Sequence, residues 1–203
     1  EGLFEEATID SMTDDTNNAI QFLHEKVRIE KFCLLGARLG GTIAALVAQK
    51  NLNIKGLVLW DPIIDGYPYI YRCLRTNLAM QTLRHKKVLF NRDKLIEMIL
   101  AGELVNIDGY LIGSGLYCSI KDINIKDQIH ELPEKLLIAR VAEKELPEGN
   151  DLLEFVGRLK EAGKDVVVVE AKDAFSWESQ RYYRPKPTQI FEPSLIWVLA
   201  NFD

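Results

Sequence analysis

The fold of this chain is decided by residues 32–41, which read FCLLGARLGG and are followed directly by the apolar run 42–48. An apolar segment that enters a glycine-flanked turn and continues as an Ala-rich helix predicts a strand, a sharp turn and a helix. Gly36 and Gly40 have the spacing of the glycines in G-x-S-x-G, the turn that exposes a catalytic serine. Arg38 occupies the serine position. Because a guanidinium stays protonated at any working pH, Arg38 cannot be the nucleophile of such a turn.

The segments on both sides of this turn alternate between helix and strand patterns. Before the turn, apolar positions recur at helical spacing from Ile9 onward, with Asp10 or Ser11 as the expected cap. A final helix is expected with Pro193 in its first turn. The expected strands are apolar runs at 28–35, 55–60, 135–141 and 165–170, with a helix over 150–162 between the last two. This alternation predicts an α/β fold with a parallel sheet.

The span 66–130 interrupts the alternation. Its pattern indicates helices and no convincing strand, so we expect a helical lid over 66–130 inserted into an α/β core made of 1–65 and 131–203. The first half of the span is basic, and this feature is either a solvated helix face or a collar for an anionic ligand. The basic residues are Arg72, Arg75, Arg84, Lys86, Lys87, Arg92 and Lys94.

Composition excludes several function classes. The 203 residues are 47% hydrophobic and 27% charged, which is typical of a globular domain, and the net charge of -5 argues against a general nucleic-acid binder. No stretch reaches the roughly 20 apolar residues of a membrane span. The three cysteines and three histidines are scattered without metal-ligand spacing, and no nucleotide-binding motif is present. We therefore expect a cytoplasmic protein with free thiols, no metal and no cofactor.

The remaining members of a Ser-His-acid triad are not found in their expected places. An acid should follow the strand 135–141, where Glu143 stands as a possible occupant, and the alternative is that Glu143 is an exposed loop carboxylate. A histidine should follow the strand 165–170, near Ala174, but no histidine occurs after His130. Without a general base, nearby serines have nothing to activate them.

Arg38 itself is the candidate binding residue. An arginine at the end of a buried strand needs a carboxylate partner or a bound anion, because an unpaired desolvated charge is costly. Asp61, at the end of the next strand, is the expected internal partner, and contact with a ligand is an alternative that does not exclude it. We predict a ligand cleft between Arg38 and the lid, formed by Arg38, Leu39, Asp61, Arg72 and Arg75.

Three segments together carry a resemblance to a family. LGARLG at 35–40, LVLWDPIIDG at 57–66 and DGYL at 108–111 resemble the α/β-hydrolase-like proteins of the exosortase-system-associated group, and more broadly the serine aminopeptidase-like hydrolases. The resemblance implies an α/β-hydrolase fold with helices on both faces of a mostly parallel sheet, in a bacterial protein. It also implies that N-terminal strands are missing from this chain. An N-terminal segment or a second chain is then expected to pair with the strand 28–35.

The leading functional prediction is an α/β-hydrolase-like protein with a degenerate catalytic triad, a pseudoenzyme that binds a small anionic or acyl ligand near Arg38. Two alternatives remain open at this point. One is an active hydrolase or acyltransferase of unassigned mechanism. The other is a non-catalytic interaction or scaffold protein.

Overall fold

The structure is a computed structural model, and it describes residues 3–107, 109–141, 150–171 and 188–202. The chain divides into two compact units: an inserted unit made of residues 1–15 and 65–124, and a sheet unit made of residues 16–64 and 125–203. This division differs from the predicted core and lid ranges chiefly by placing the first 15 residues with the inserted span.

The helices and strands are numbered in chain order within the described residues. Short 3₁₀ helices lie at Phe4–Glu6 and Ile129–Glu131. The main elements are α1 (Ile9–Val27), β1 (Phe32–Ala37), α2 (Leu39–Ala48), β2 (Ile54–Trp60), α3 (Gly66–His85), α4 (Arg92–Leu100), β3 (Val105–Ile107), β4 (Tyr110–Ile112), α5 (Ser114–Lys121), β5 (Lys135–Val141), α6 (Asp151–Glu161), β6 (Asp165–Ala171) and α7 (Thr188–Phe202).

The sheet unit contains four parallel strands in the order β1-β2-β5-β6, which confirms the predicted parallel α/β sheet. β2 and β5 are its inner strands, and their apolar runs are fully buried from Leu57 to Leu59 and from Leu136 to Ala139. Strands covered on both faces need near-continuous apolar sequence. This explains why β2 and β5 could both be recognised in the sequence. On one face, Ile190 and Trp197 of α7 pack in the core formed by β2 and β5.

The first strand begins later than predicted. The backbone N–H of Arg28 donates to the carbonyl of His24 (3.1 Å), and Arg28 has φ 64°, so residues around Arg28 end α1 in a left-handed cap. The predicted strand 28–35 is therefore corrected to Phe32–Ala37. Within the described sheet β1 pairs with β2 alone, and the expectation that another segment or chain covers its other edge stays a prediction.

Two helix starts also differ from expectation. Thr8 caps α1, because its hydroxyl accepts from the N–H of Ser11 (3.0 Å) while the Ser11 hydroxyl accepts from the N–H of Thr8 (2.9 Å). Neither Asp10 nor Ser11 is the capping residue. Pro193 lies inside α7 and not in its first turn, because the helix already begins at Thr188.

The inserted unit is mainly helical, with α3, α4 and α5, but the prediction that it contains no strand is wrong. β3 and β4 pair antiparallel, with Val105 opposite Ile112 and Ile107 opposite Tyr110. Residues 110–112 belong to β4, and the helix that follows them begins at Ser114. Within the described ranges, none of the helices combines the length and apolar composition that a transmembrane helix requires.

Candidate functional site

Arg38 forms the turn between β1 and α2. Its backbone has φ 52° and ψ -124°, a region that residues other than glycine rarely adopt. Its N–H donates to the carbonyl of Trp60 (2.8 Å), and its carbonyl accepts from the N–H of Gly41 (3.0 Å). The predicted sharp turn between strand and helix is confirmed, and its backbone at Arg38 is strained. A non-glycine residue in such a region costs about 1–3 kcal/mol, and the surrounding hydrogen bonds keep it there.

The close approach of strand and helix requires two glycines, but not the pair that the spacing suggested. A Cβ on Gly36 would overlap the carbonyl group of Gly40, and a Cβ on Gly41 would lie 2.9 Å from the carbonyl oxygen of Gly36. A Cβ on Gly40 would meet nothing within 4 Å. Gly36 and Gly41 therefore allow β1 and α2 to meet, whereas the side-chain position of Gly40 is open.

A buried threonine fixes the turn to the segment that follows β2. The Thr42 side chain is fully buried, and its hydroxyl donates to the carbonyl of Ile63 (2.7 Å) and accepts from the N–H of Ile63 (3.1 Å). This one hydroxyl satisfies both backbone groups of Ile63. Sequence reasoning did not select Thr42, although a single hydroxyl within the apolar run 42–48 was a usable signal.

The expected pairing of Arg38 with the Asp61 carboxylate is corrected by the structure. Nη1 of Arg38 donates to the backbone carbonyl of Asp61 (3.2 Å), and among the described residues Arg38 forms no ion pair. The Asp61 carboxylate instead accepts from the N–H of Val141 (3.0 Å). The reason is the backbone of Asp61: with φ 43°, and with its N–H donating to Ala139, it presents its carboxylate to the end of β5.

The first turn of α2 leaves hydrogen-bond donors beside Arg38. The N–H groups of Gly41 and Thr42 donate to the carbonyl of Arg38. No acceptor in the described part of the chain is found for the N–H groups of Leu39 and Gly40, and no side chain caps this helix. Donors at the start of a helix attract anions. In a serine turn, the N–H of the residue after the nucleophile forms half of the oxyanion hole, and Leu39 occupies that place.

Arg140, near the end of β5, is a buried cation that sequence reasoning missed. Its side chain is 8% exposed, and its Nη1 lies 3.5 Å from Oε1 of Glu170 on the neighbouring strand. A buried charge requires such pairing, because desolvation is otherwise costly. The sequence feature that could have revealed it was a single charged residue inside the apolar run 136–141. The pair places one charge of each sign near the carboxyl ends of β5 and β6.

Cys33, five residues before Arg38 on β1, is excluded as a substitute nucleophile. Burial raises the pKa of the Cys33 thiol to about 11, because the thiolate would be desolvated. At neutral pH this thiol is protonated, and a protonated thiol is a poor nucleophile.

Four further residues were predicted to contribute to the site. Glu143 and Ala174, the expected acid and histidine positions, lie outside the described residues. Arg72 and Arg75 lie on α3 in the inserted unit and are exposed, so their part in a ligand site stays a prediction.

The parallel sheet, the strained turn after β1 and the helical insertion are together the α/β-hydrolase fold, and solved structures share it. Similar structures are the Pyrococcus horikoshii acylaminoacyl peptidase (15% identity, TM-score 0.54, 92% of this chain and 26% of that chain), Est1E from Butyrivibrio proteoclasticus (15%, 0.63, 96% and 71%) and the Alpha/beta hydrolase GrgF from Penicillium sp. sh18 (15%, 0.58, 96% and 72%). The chain thus spans 26% of the length of that peptidase. No protein-family model and no curated protein sequence matches the chain.

Proposed function

We propose that the protein binds a small anionic or acyl ligand at the Arg38 turn and does not carry out Ser-His-Asp hydrolysis. One observation carries the proposal: Arg38 is held in a strained backbone, with its half-buried guanidinium bonded to a neutral carbonyl oxygen. Residues with a strained backbone cluster at active sites and ligand-binding sites. A strained arginine at the position of a nucleophile therefore points to recognition of charge.

The groups around Arg38 suit a carboxylate or an acyl carbonyl. A carboxylate has two oxygens, one for the guanidinium and one for the N–H groups of Leu39 and Gly40. Charge-assisted hydrogen bonds of this kind contribute about 1.5–3 kcal/mol each. The N-terminal end of α2 adds a favourable dipole for negative charge. An acyl carbonyl oxygen would use the same N–H groups without the full ionic contribution, so carboxylates should bind more tightly than esters of equal size.

Removal of the guanidinium is expected to weaken ligand binding at least tenfold. We expect Arg38→Ala to raise the Kd for the tightest ligand by about tenfold to a hundredfold, because one charge-assisted contact contributes about 1.5–3 kcal/mol. The measurement is isothermal calorimetry with acetate, butyrate, octanoate, inorganic phosphate and acyl-pantetheine.

Lys55→Ala, which removes an exposed charge from β2, is the matched control and should leave the Kd unchanged. The proposal fails if no compound binds more tightly than the millimolar range, or if Arg38→Ala binds as tightly as the natural protein.

Placing a serine at position 38 is not expected to produce hydrolysis. A general base contributes about 10²–10⁴-fold, and no histidine follows His130 in the sequence. The Arg38→Ser protein should therefore react with a fluorophosphonate probe no faster than Arg38→Ala, which has no hydroxyl at the same position. Labelling of Arg38→Ser well above Arg38→Ala would contradict this expectation. Turnover of esters by the natural protein would instead favour an active hydrolase.

A further inference from the structure

The corner between α3 and α4 displays apolar side chains to solvent. Leu83 near the end of α3 is 68% exposed, and Met80, Val88, Leu89 and Phe90 are each at least 41% exposed. We call residues 80–90 the apolar corner. It lies entirely within the inserted unit and shares no residue with the Arg38 turn.

Side-chain hydrogen bonds hold the backbone of the apolar corner. Oε1 of Gln81 accepts from the N–H groups of Leu89 (2.7 Å) and Phe90 (3.0 Å), and Nε2 of Gln81 donates to the carbonyl of Phe90 (3.2 Å). Lys86, with φ 60°, ends α3 in a left-handed cap, and its N–H donates to Thr82 (2.9 Å). The apolar side chains are therefore presented by a fixed turn and not by a frayed helix end. A fixed turn loses less conformational entropy on binding.

The same corner concentrates positive charge in an acidic protein. The corner itself contains three basic residues and no acid, a net charge of +3, whereas the whole chain has a net charge of -5. Arg84, Lys86 and Lys87 stand between Leu83 and Val88, and all three are exposed. The corner thus combines adjacent apolar side chains with long cationic ones.

We propose that the apolar corner binds the surface of an anionic lipid bilayer. Leu83, Val88, Leu89 and Phe90 enter the boundary between headgroups and acyl chains, while Arg84, Lys86 and Lys87 contact lipid phosphates. Long cationic side chains suit this position because their methylene stems lie along the apolar layer and their charges remain in water. A bilayer fits better than a protein partner, because it accepts exposed apolar side chains and cations without a matching groove. This is attachment to one face of a membrane, and it does not depend on the ligand proposed for Arg38.

Vesicle flotation of the full chain tests the proposal. We expect binding to vesicles of phosphatidylcholine with about 30 mol% phosphatidylserine at about 0.1 M salt, with little binding to pure phosphatidylcholine or at about 1 M salt. Each basic residue near an anionic surface contributes about fivefold, so Arg84→Gln with Lys87→Gln should lower the partition coefficient about 30-fold. The matched control replaces Lys50 and Lys55, exposed lysines of the sheet unit, with glutamine and should bind like the natural protein.

A second pair of variants tests the apolar contribution. Leu83→Ser with Val88→Ser should lower the partition coefficient at least tenfold, because two apolar side chains that enter the boundary between headgroups and acyl chains are replaced by polar ones. Leu52→Ser, at a leucine that is 85% exposed in the sheet unit, is the control and should change nothing. All of the replaced side chains are exposed, so an unchanged thermal unfolding midpoint shows that each variant is folded.

Three results would overturn the proposal. The first is no partition into anionic vesicles at millimolar lipid. The second is equal loss of binding in the corner variants and in their controls. The third is tight binding to polyglutamate that the Leu83→Ser, Val88→Ser protein retains in full, which would assign the corner to an acidic protein partner and not to lipid.

Discussion

Replacing Gly36 with alanine lowers the free energy of unfolding by about 3 kcal/mol, whereas replacing Gly40 with alanine leaves it unchanged or raises it by up to about 1 kcal/mol. The difference follows from where each Cβ would lie. At Gly36 it would meet the backbone of Gly40 and lie 2.6 Å from the nitrogen of Gly41, atoms that cannot rotate away. At Gly40 the position is open, and alanine is the better helix former.

Urea unfolding of the two variants under one set of conditions measures both values. The G-x-R-x-G spacing by itself predicts similar losses at both glycines. Equal destabilisation by the two substitutions would therefore show that β1 and α2 do not meet as described.

Thr42→Val lowers the free energy of unfolding by about 2–4 kcal/mol, although valine has nearly the same shape. Valine has no hydroxyl, so the N–H and the carbonyl of Ile63 both lose their partner in a buried setting. Each such group costs about 1–3 kcal/mol when it is left unsatisfied.

Thr42→Ser retains the hydroxyl and removes one methyl group, so we expect it to cost only about 1 kcal/mol. Denaturant unfolding of the two variants gives the comparison. If Thr42→Val is as stable as Thr42→Ser, the hydroxyl does not satisfy Ile63, and the link between α2 and the segment after β2 is not the one described here.

The sheet could be predicted because its inner strands have unusual sequence. β2 and β5 are covered on both faces and are therefore almost entirely apolar, and few other structures need such runs. The start of β1 could not be read in this way, because Val27 and Ile29 continue the apolar pattern across the end of α1. The helix ends where the backbone of Arg28 takes a φ of 64°, and the strand begins at Phe32. The β3–β4 hairpin was missed because its strands have three residues each, too few to show a period of two.

For the site, sequence spacing located Arg38 but not its partner. Whether Asp61 offers a carboxylate or a carbonyl oxygen depends on its φ of 43°, a torsion that no residue pattern specifies at a non-glycine position. Thr42 and Arg140 are buried and form polar contacts with distant segments, Thr42 with the segment after β2 and Arg140 with β6. The burial of single polar residues is set by tertiary packing. The positions of Glu143 and Ala174 lie outside the described residues, so the expected acid and the missing histidine stay predictions.

NMR titration of the backbone amides is the most direct test of the proposal that the Arg38 turn binds an anion. The full chain, labelled with ¹⁵N, is titrated with butyrate while the amide signals of Leu39 and Gly40 are followed. We predict that both signals move saturably with one Kd, that Arg38→Ala raises this Kd at least tenfold, and that Lys55→Ala leaves it unchanged. The opposite result would be Leu39 and Gly40 signals that stay fixed while binding is detected elsewhere, or that move equally in the Arg38→Ala protein.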